Sequence, residues 1–128
     1  MYKVRLRKAA AFTKTIDPNS FIMTVFSGSW ACGFVGCAMG HMAHAKVFRG
    51  LVMRNAIIAY KGQFGMDAVR ELFGLKRSET YYLFGPSWEI YDRALPDVTP
   101  KNVARRIERF IANPEIARVG QLLHLDEY

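Results

Sequence analysis

The stretch W-A-C-G-F-V-G-C-A-M-G-H-M-A-H-A, residues 30–45, organises this chain. It holds both cysteines of the protein, two of its three histidines and three of its ten glycines. Read as a helix, its apolar residues point in every direction at about 100° per residue, which is typical of an interior helix rather than a surface one. We therefore predict a buried central helix over residues 33–46.

Three glycines of this stretch, Gly33, Gly36 and Gly40, would fall close to one line on that helix. Each of them costs up to about 1 kcal/mol relative to alanine inside a helix. A row of glycines therefore indicates that another backbone approaches this face.

The Cys and His side chains of the stretch allow three interpretations. Cys37, His41 and His44 follow at i, i+4 and i+7 of the predicted helix, and Cys32 lies just before its first turn. The first interpretation is core packing, because free cysteine behaves as a small hydrophobic residue and buried histidines are satisfied by hydrogen bonds. This is the commonest fate of such residues and our leading expectation.

The second interpretation is a structural zinc site formed by Cys32, Cys37 and His41, with His44 as a further candidate. The ligand types suit zinc, but the spacing C-x4-C-x3-H-x2-H matches the usual zinc motifs poorly. Residues 37 and 44 would also lie about 10 Å apart along the helix axis. Zinc is the one cofactor that the sequence suggests, and otherwise we predict none.

The third interpretation is thiol catalysis, as in a hydrolase or a transferase. A cysteine at a helix N-terminus has its thiolate stabilised by the helix dipole and by free N–H groups, and Cys32 would lie there. The general base would be His41 or His124, the only histidine late in the chain.

Length and composition indicate one globular domain over residues 1–128. Hydrophobic residues make up 51% of the chain and aromatic residues 13%, which argues against a disordered protein. No apolar run reaches the roughly eighteen residues of a membrane span, and the N-terminus lacks the apolar core of a signal peptide. Two cysteines so close in sequence are poorly placed for a disulfide across the fold. We expect a cytoplasmic protein, in the host cytoplasm if it is encoded by a phage, with no membrane partner.

The net charge of +7 is concentrated in the first half of the chain. Residues 1–66 hold nine basic side chains and a single acidic one, a net +8, whereas residues 67–128 hold nine basic and ten acidic ones, a net −1. Such a field favours acidic protein surfaces, nucleoprotein complexes or nucleic acid. Solubility explains it equally well, with the aliphatic stems covering the core. The candidate binding residues are cations from three regions: Lys3, Arg5, Arg7, Lys8, Arg49, Arg54, Arg105, Arg106 and Arg109.

The segments around the central stretch predict further short elements. Residues 3–14 favour a basic helix, with an edge strand as the alternative, and residues 21–26 favour a short extended segment. Residues 47–60 indicate a second helix or an irregular packed run. The fold class that we predict is a mainly α single domain of short helices around the central one, with room for a small β element near the N-terminus.

Helix boundaries are clearest in the second half. Gly74 suits the C′ position of a helix over residues 66–73, and residues 78–84 favour another short helix. Thr99 as N-cap and Pro100 at the first helical position begin a late helix. Its apolar stripe comprises Val103, Ile107, Phe110 and Ile111.

Two features bear on DNA binding. Residues 69–84 resemble a helix-turn-helix with Gly74 in the turn, but Arg70 stands where that motif needs a small residue. The outer face of residues 100–112 carries Lys101 and three arginines that could track phosphates, although Glu108 interrupts them. A solvated helix face is the commoner meaning of such charges. A sequence-specific DNA reader is disfavoured, and a loose polyanion contact remains open.

The order of several short motifs is similar to that of a group of small uncharacterised bacterial and phage proteins. The family pattern reads F-D-M, then C-G-T-x-x-C-x-x-G-[HW]-A, then L-G-L with L-F, then T-P-x-x-A-A, and it corresponds to about residues 21–110. The matching pieces here are Phe21-Ile22-Met23, Trp30, Cys32-Gly33-x-x-x-Cys37-x-x-Gly40-His41, Phe73-Gly74-Leu75, Leu83-Phe84 and Thr99-Pro100-x-x-Val103-Ala104-x-x-Ile107.

This chain departs from the family pattern at two polar positions. Ile22 replaces the Asp and Phe34 replaces the Thr, which weakens an enzymatic interpretation. The resemblance implies a phage or prophage setting and no established activity.

Our leading hypothesis is a small non-enzymatic interaction protein of phage or mobile-element type. Its basic first half would bind an acidic protein surface or a nucleoprotein complex, and interference with a host or defence system is one form that this could take. The alternatives are a cysteine-thiol enzyme, a structural zinc-binding module and a nucleic-acid-binding module.

Overall fold

The computed structural model describes residues 1–21, 28–30, 33–35, 37–85 and 98–117. Over these ranges the fold is mainly α with small antiparallel β elements, which confirms the predicted fold class. Each helix within them is too short or too polar to cross a lipid bilayer. The predicted extended segment over residues 21–26 lies, apart from its first residue, outside the described residues.

Helix α1 (Lys3–Thr13) confirms the predicted basic N-terminal helix. One face of it is buried and consists mostly of small residues: Leu6, Ala9, Ala10 and Thr13. A 3-10 turn follows at Pro18–Ser20, where the Asp17 carboxylate accepts a hydrogen bond from the N–H of Asn19. This turn brings the chain back towards the central stretch.

The central stretch contains a strand and a short helix rather than one long helix. Strand β1 (Gly28–Trp30) pairs antiparallel with strand β2 (Gly33–Val35), and helix α2 spans only Ala38–His44. The prediction of a helix from residue 33 is therefore wrong, and with it the single row of glycines. Glycine disfavours helix at residues 33 and 36, while aromatic and β-branched side chains at 34 and 35 favour an extended backbone.

The prediction of a helix or an irregular run over residues 47–60 is wrong from residue 52 onwards, where the chain forms strands. Strand β3 (Val52–Arg54) pairs antiparallel with strand β4 (Ile57–Tyr60), which pairs with strand β5 (Gln63–Phe64). The sheet order is therefore β3-β4-β5. Both connections are two-residue turns whose central residues all have positive φ, the type I′ geometry that matches strand twist.

Helices α3 (Gly65–Phe73) and α4 (Arg77–Phe84) confirm the two predicted short helices. Gly74 takes the left-handed conformation at φ 63° just after α3, and the N–H of Leu75 donates to the carbonyl of Arg70 at 3.2 Å. The start of the chain packs here, because the N–H of Tyr2 donates to the carbonyl of Phe73 at 2.8 Å.

Helix α5 (Pro100–Ala112) begins as predicted, with Thr99 Oγ1 accepting from the N–H of Asn102 at 3.2 Å. It lies along α1, and small residues on both helices allow a close approach. The predicted stripe is confirmed for its first three members, while Ile111 is half-buried. All the described helices and the sheet share one hydrophobic core.

Candidate anion-binding groove

Cys37 and His41 are part of this core. Cys37 immediately precedes α2 and is only 4% exposed. His41 Nε2 lies 2.6 Å from the carbonyl oxygen of Ser20, to which it must donate because a carbonyl only accepts. This bond ties α2 to the 3-10 turn. Both observations fit the packing interpretation.

Burial raises the pKa of the Cys37 thiol above its ordinary value of 9.0, and the N–H groups of Gly40 and Met39 offset only part of this rise. The thiol is therefore protonated at neutral pH and is a poor nucleophile. The cysteine at the start of α2 is Cys37, and residues 33–35, where the predicted helix would begin, form strand β2 instead.

The residues on which the thiol and zinc hypotheses depend most, Cys32 and His124, lie outside the described residues. Both hypotheses therefore stay predictions. Within the ranges that the structure describes, no three His, Cys, Asp or Glu side chains are close enough to hold a metal ion. His41 could serve as a ligand only through Nδ1, because its Nε2 bonds to Ser20.

A groove between α1, the end of α2 and β3 is the feature best suited to binding. It has a volume of about 710 Å³. Three exposed cations, Lys8, Lys46 and Arg49, line it together with an apolar set: Ala43, Val47, Phe48, Leu51, Val52 and Met53. Lys8 and Arg49, predicted from separate segments, are therefore brought together by the fold.

The three cations come from two separate segments of the chain. Lys8 projects from α1, with its ammonium nitrogen 5.4 Å from the centre of the Phe48 ring, a cation–π contact across the groove. Lys46 follows the end of α2, where the N–H of Val47 donates to the carbonyl of Met42 at 3.0 Å. Arg49 lies on the connection that leads into β3.

Lys46 is the groove residue that the sequence did not single out, and its backbone is strained. Its φ is 57°, in the left-handed region that glycine adopts most easily, at the same C′ position that Gly74 occupies after α3. A lysine at such a position costs about 1 kcal/mol or more relative to glycine. The chain therefore keeps a cation at the rim of the groove at the expense of stability.

Among the residues that the structure describes, no carboxylate lines this groove. The first 66 residues contain only one, Asp17, against nine basic side chains. The three cations thus act on a concave, partly apolar surface where their field is not neutralised by acidic neighbours along the lining. An anionic group with apolar atoms beside it is the complementary ligand.

Two of the predicted binding residues serve the fold instead. Arg5 is half-buried; its Nη1 donates to the carbonyl of Leu72 at 2.7 Å, and its guanidinium lies 4.7 Å from the centre of the Tyr2 ring. Arg106 is fully buried, donates to the carbonyl of Tyr82 at 2.8 Å, and its guanidinium lies 4.7 Å from the centre of the Tyr82 ring. The prediction of Arg106 as a phosphate contact on the outer face of α5 is therefore wrong.

The other predicted binding residues are exposed but do not line the groove: Lys3, Arg7, Arg54, Arg105 and Arg109. On α5 an ion pair between Glu108 and Lys14, the residue that follows α1, further reduces the positive field. A continuous track of phosphate contacts along α5 is not supported by this arrangement.

No protein-family model, no curated protein and no solved structure matches this chain.

Proposed function

We propose that this chain is a non-catalytic binding protein that recognises an acidic protein surface through the groove of Lys8, Lys46 and Arg49. The observation that carries the proposal is the convergence of three cations from two separate segments on one concave, partly apolar surface, whose described lining contains no carboxylate. Such surfaces steer and orient acidic partners.

A protein partner is favoured over a nucleic acid by the shape and lining of the groove. Phe48, Leu51 and Met53 give it an apolar component, which phosphates do not complement. Nucleic-acid binding needs cations spread along a track, and α5 offers a poor one because Arg106 is buried and Glu108 pairs with Lys14.

The phage or mobile-element setting, including interference with a host or defence system, stays a prediction that rests on the resemblance in the sequence. The thiol-enzyme alternative depends on Cys32. The described member of the pair, Cys37, is buried with a raised pKa, which supports a packing role for it.

A binding assay with defined probes tests the proposal. The probe is a fluorescein-labelled peptide of repeated glutamate-leucine-serine-glutamate units, followed by fluorescence anisotropy at low and physiological salt. The groove variant K8Q/K46Q/R49Q removes three exposed cations that each contribute about 0.2–1 kcal/mol, so its Kd should rise by about 3- to 100-fold.

The matched control is K3Q/K101Q/R105Q, which lowers the net charge equally at three exposed cations outside the groove. Its Kd should change by less than about twofold if binding is local rather than a response to overall charge. Equal losses in both variants, or tighter binding of a short duplex DNA than of the peptide, would contradict the proposal.

A further inference from the structure

The outer face of the three-stranded sheet is unusually apolar. Val52, Ile57 and Phe64 are 42%, 45% and 56% exposed, and each lies on a different strand. The register places Val52 opposite Ala59, and Ala59 opposite Phe64, so these three side chains form one row across the sheet. Ile57 lies on the same face, two residues before Ala59.

The inner face of the same sheet is also apolar, and it is buried. Ile58 and Tyr60, which alternate with Ile57 and Ala59 along β4, are buried in the core. Both faces of β4 thus carry apolar side chains, and among the described residues of this strand it is the outer-face Ile57 that stays exposed. Three large apolar side chains together on an exposed face mark an interaction surface, whereas single ones do not.

This face is continuous with the groove. Val52 belongs to both, since it lines the groove and also stands in the apolar row. Arg54 lies two residues further along β3, on the same face as Val52 and directly opposite Ile57. The apolar face is therefore bordered by the cations of the groove on one side and by Arg54 on another.

We infer that the groove and the outer sheet face form one binding surface, and that its occupant is a protein segment with large apolar side chains next to its carboxylates. This inference rests on the proposed function and specifies the partner. Carboxylates would lie against Lys46, Arg49 and Arg54, and apolar side chains against the row of Val52 and Phe64.

Charge and shape select this occupant over two others. A second copy of the chain, paired through the same surface, would bring the same cations against each other on a protein of net charge +7, and the described lining of the groove has no carboxylate to receive them. A flat anionic bilayer fits a concave groove less closely than a protruding protein segment does.

The test compares two peptides on the same protein. One is the glutamate-leucine-serine-glutamate repeat, and the other has serine in place of leucine. The natural protein should bind the leucine peptide at least about tenfold more tightly, because only that peptide can bury apolar surface on the sheet. The variant I57T/F64T, which changes two sheet residues that do not line the groove, should lose this preference and keep its affinity for the leucine-free peptide.

The control is V4T/V98T, which changes two exposed valines away from the sheet and should keep the preference. Threonine retains strand propensity at positions 57 and 64. F64T alone, at the most exposed of the apolar sheet residues, should lose part of the leucine preference. Far-UV circular dichroism verifies that each variant is folded.

Three outcomes would overturn the inference. One is an unchanged leucine preference in the folded sheet variant; if K8Q/K46Q/R49Q still weakens binding, the proposed function stands without this extension. Another is a natural protein that sediments as a dimer and a sheet variant that sediments as a monomer. The third is binding to phosphatidylserine vesicles that the sheet variant loses, with no binding to either peptide.

Discussion

The turn between β3 and β4 holds an alanine where glycine is the favoured residue. Asn55 and Ala56 have φ angles of 51° and 65°, so both central positions are left-handed. The next turn has the same geometry, but its second central residue is Gly62, at φ 79°. Glycine adopts positive φ without a steric penalty and alanine does not. The substitution Ala56→Gly should therefore stabilise the protein.

Two opposing terms set the size of the effect. The left-handed conformation costs an alanine about 1–2 kcal/mol, while glycine loses about 0.5–1 kcal/mol more in backbone entropy on folding. Ala56 is exposed, so its methyl group contributes no core packing. The net gain is about 0.5–1 kcal/mol, which for 128 residues corresponds to a Tm rise of about 2–4 °C.

The assay is thermal unfolding followed by circular dichroism, with Gly62→Ala as the mirror-image variant. A Cβ at Gly62 would meet no atom within 4 Å, so this substitution adds backbone strain alone and should lower the Tm by a similar amount. A lower Tm for Ala56→Gly, or an unchanged Tm for Gly62→Ala, would refute the assigned turn geometry.

Three further predictions concern single side chains. Arg106→Ala should cost about 2–4 kcal/mol of unfolding free energy in urea titrations, because it leaves a cavity and removes the donor to the Tyr82 carbonyl. Its neighbour Arg105 is exposed, and Arg105→Ala should change the unfolding free energy by less than about 0.5 kcal/mol. Because the pKa of Cys37 is raised in the folded state, the thiol of the unfolded chain ionises first as the pH rises above 9.0. The protein should therefore lose up to about 1.4 kcal/mol of unfolding free energy per pH unit above pH 9.0 and none below it, and urea unfolding of Cys37→Ala should lack this loss. Lys46→Gly should raise the unfolding free energy by about 0.5–1 kcal/mol but weaken binding of the leucine peptide by up to about fivefold. A variant that gained stability and also bound the peptide more tightly would contradict a binding role for this strained lysine.

Local signals sufficed for the end of α3 and the start of α5. Thr99 and Pro100 mark the start of α5, and Gly74 marks the end of α3, because a cap depends on residues within one turn. The burial of Arg106 was also accessible in principle. It lies three residues after Val103 and four before Phe110, which places it on the apolar face of the helix.

The β elements were hidden by weak turn signals. A type I′ turn is easily recognised when glycine follows asparagine, and here Ala56 follows Asn55. Strands of two to four residues also give too short a pattern to be distinguished from a helix. The groove depends on tertiary contacts, since Lys8 meets Phe48 only after α1 and the connection after α2 have packed.

The measurement that tests the central claim most directly is a two-dimensional NMR titration of the isotope-labelled protein with the leucine-containing acidic peptide. The account predicts saturable shifts of the backbone amides of Lys8 and of residues 46–54, extending to Ile57 and Phe64 on the sheet. Shifts that are largest on α5, or that spread evenly over all exposed cations without saturation, would contradict recognition by the groove.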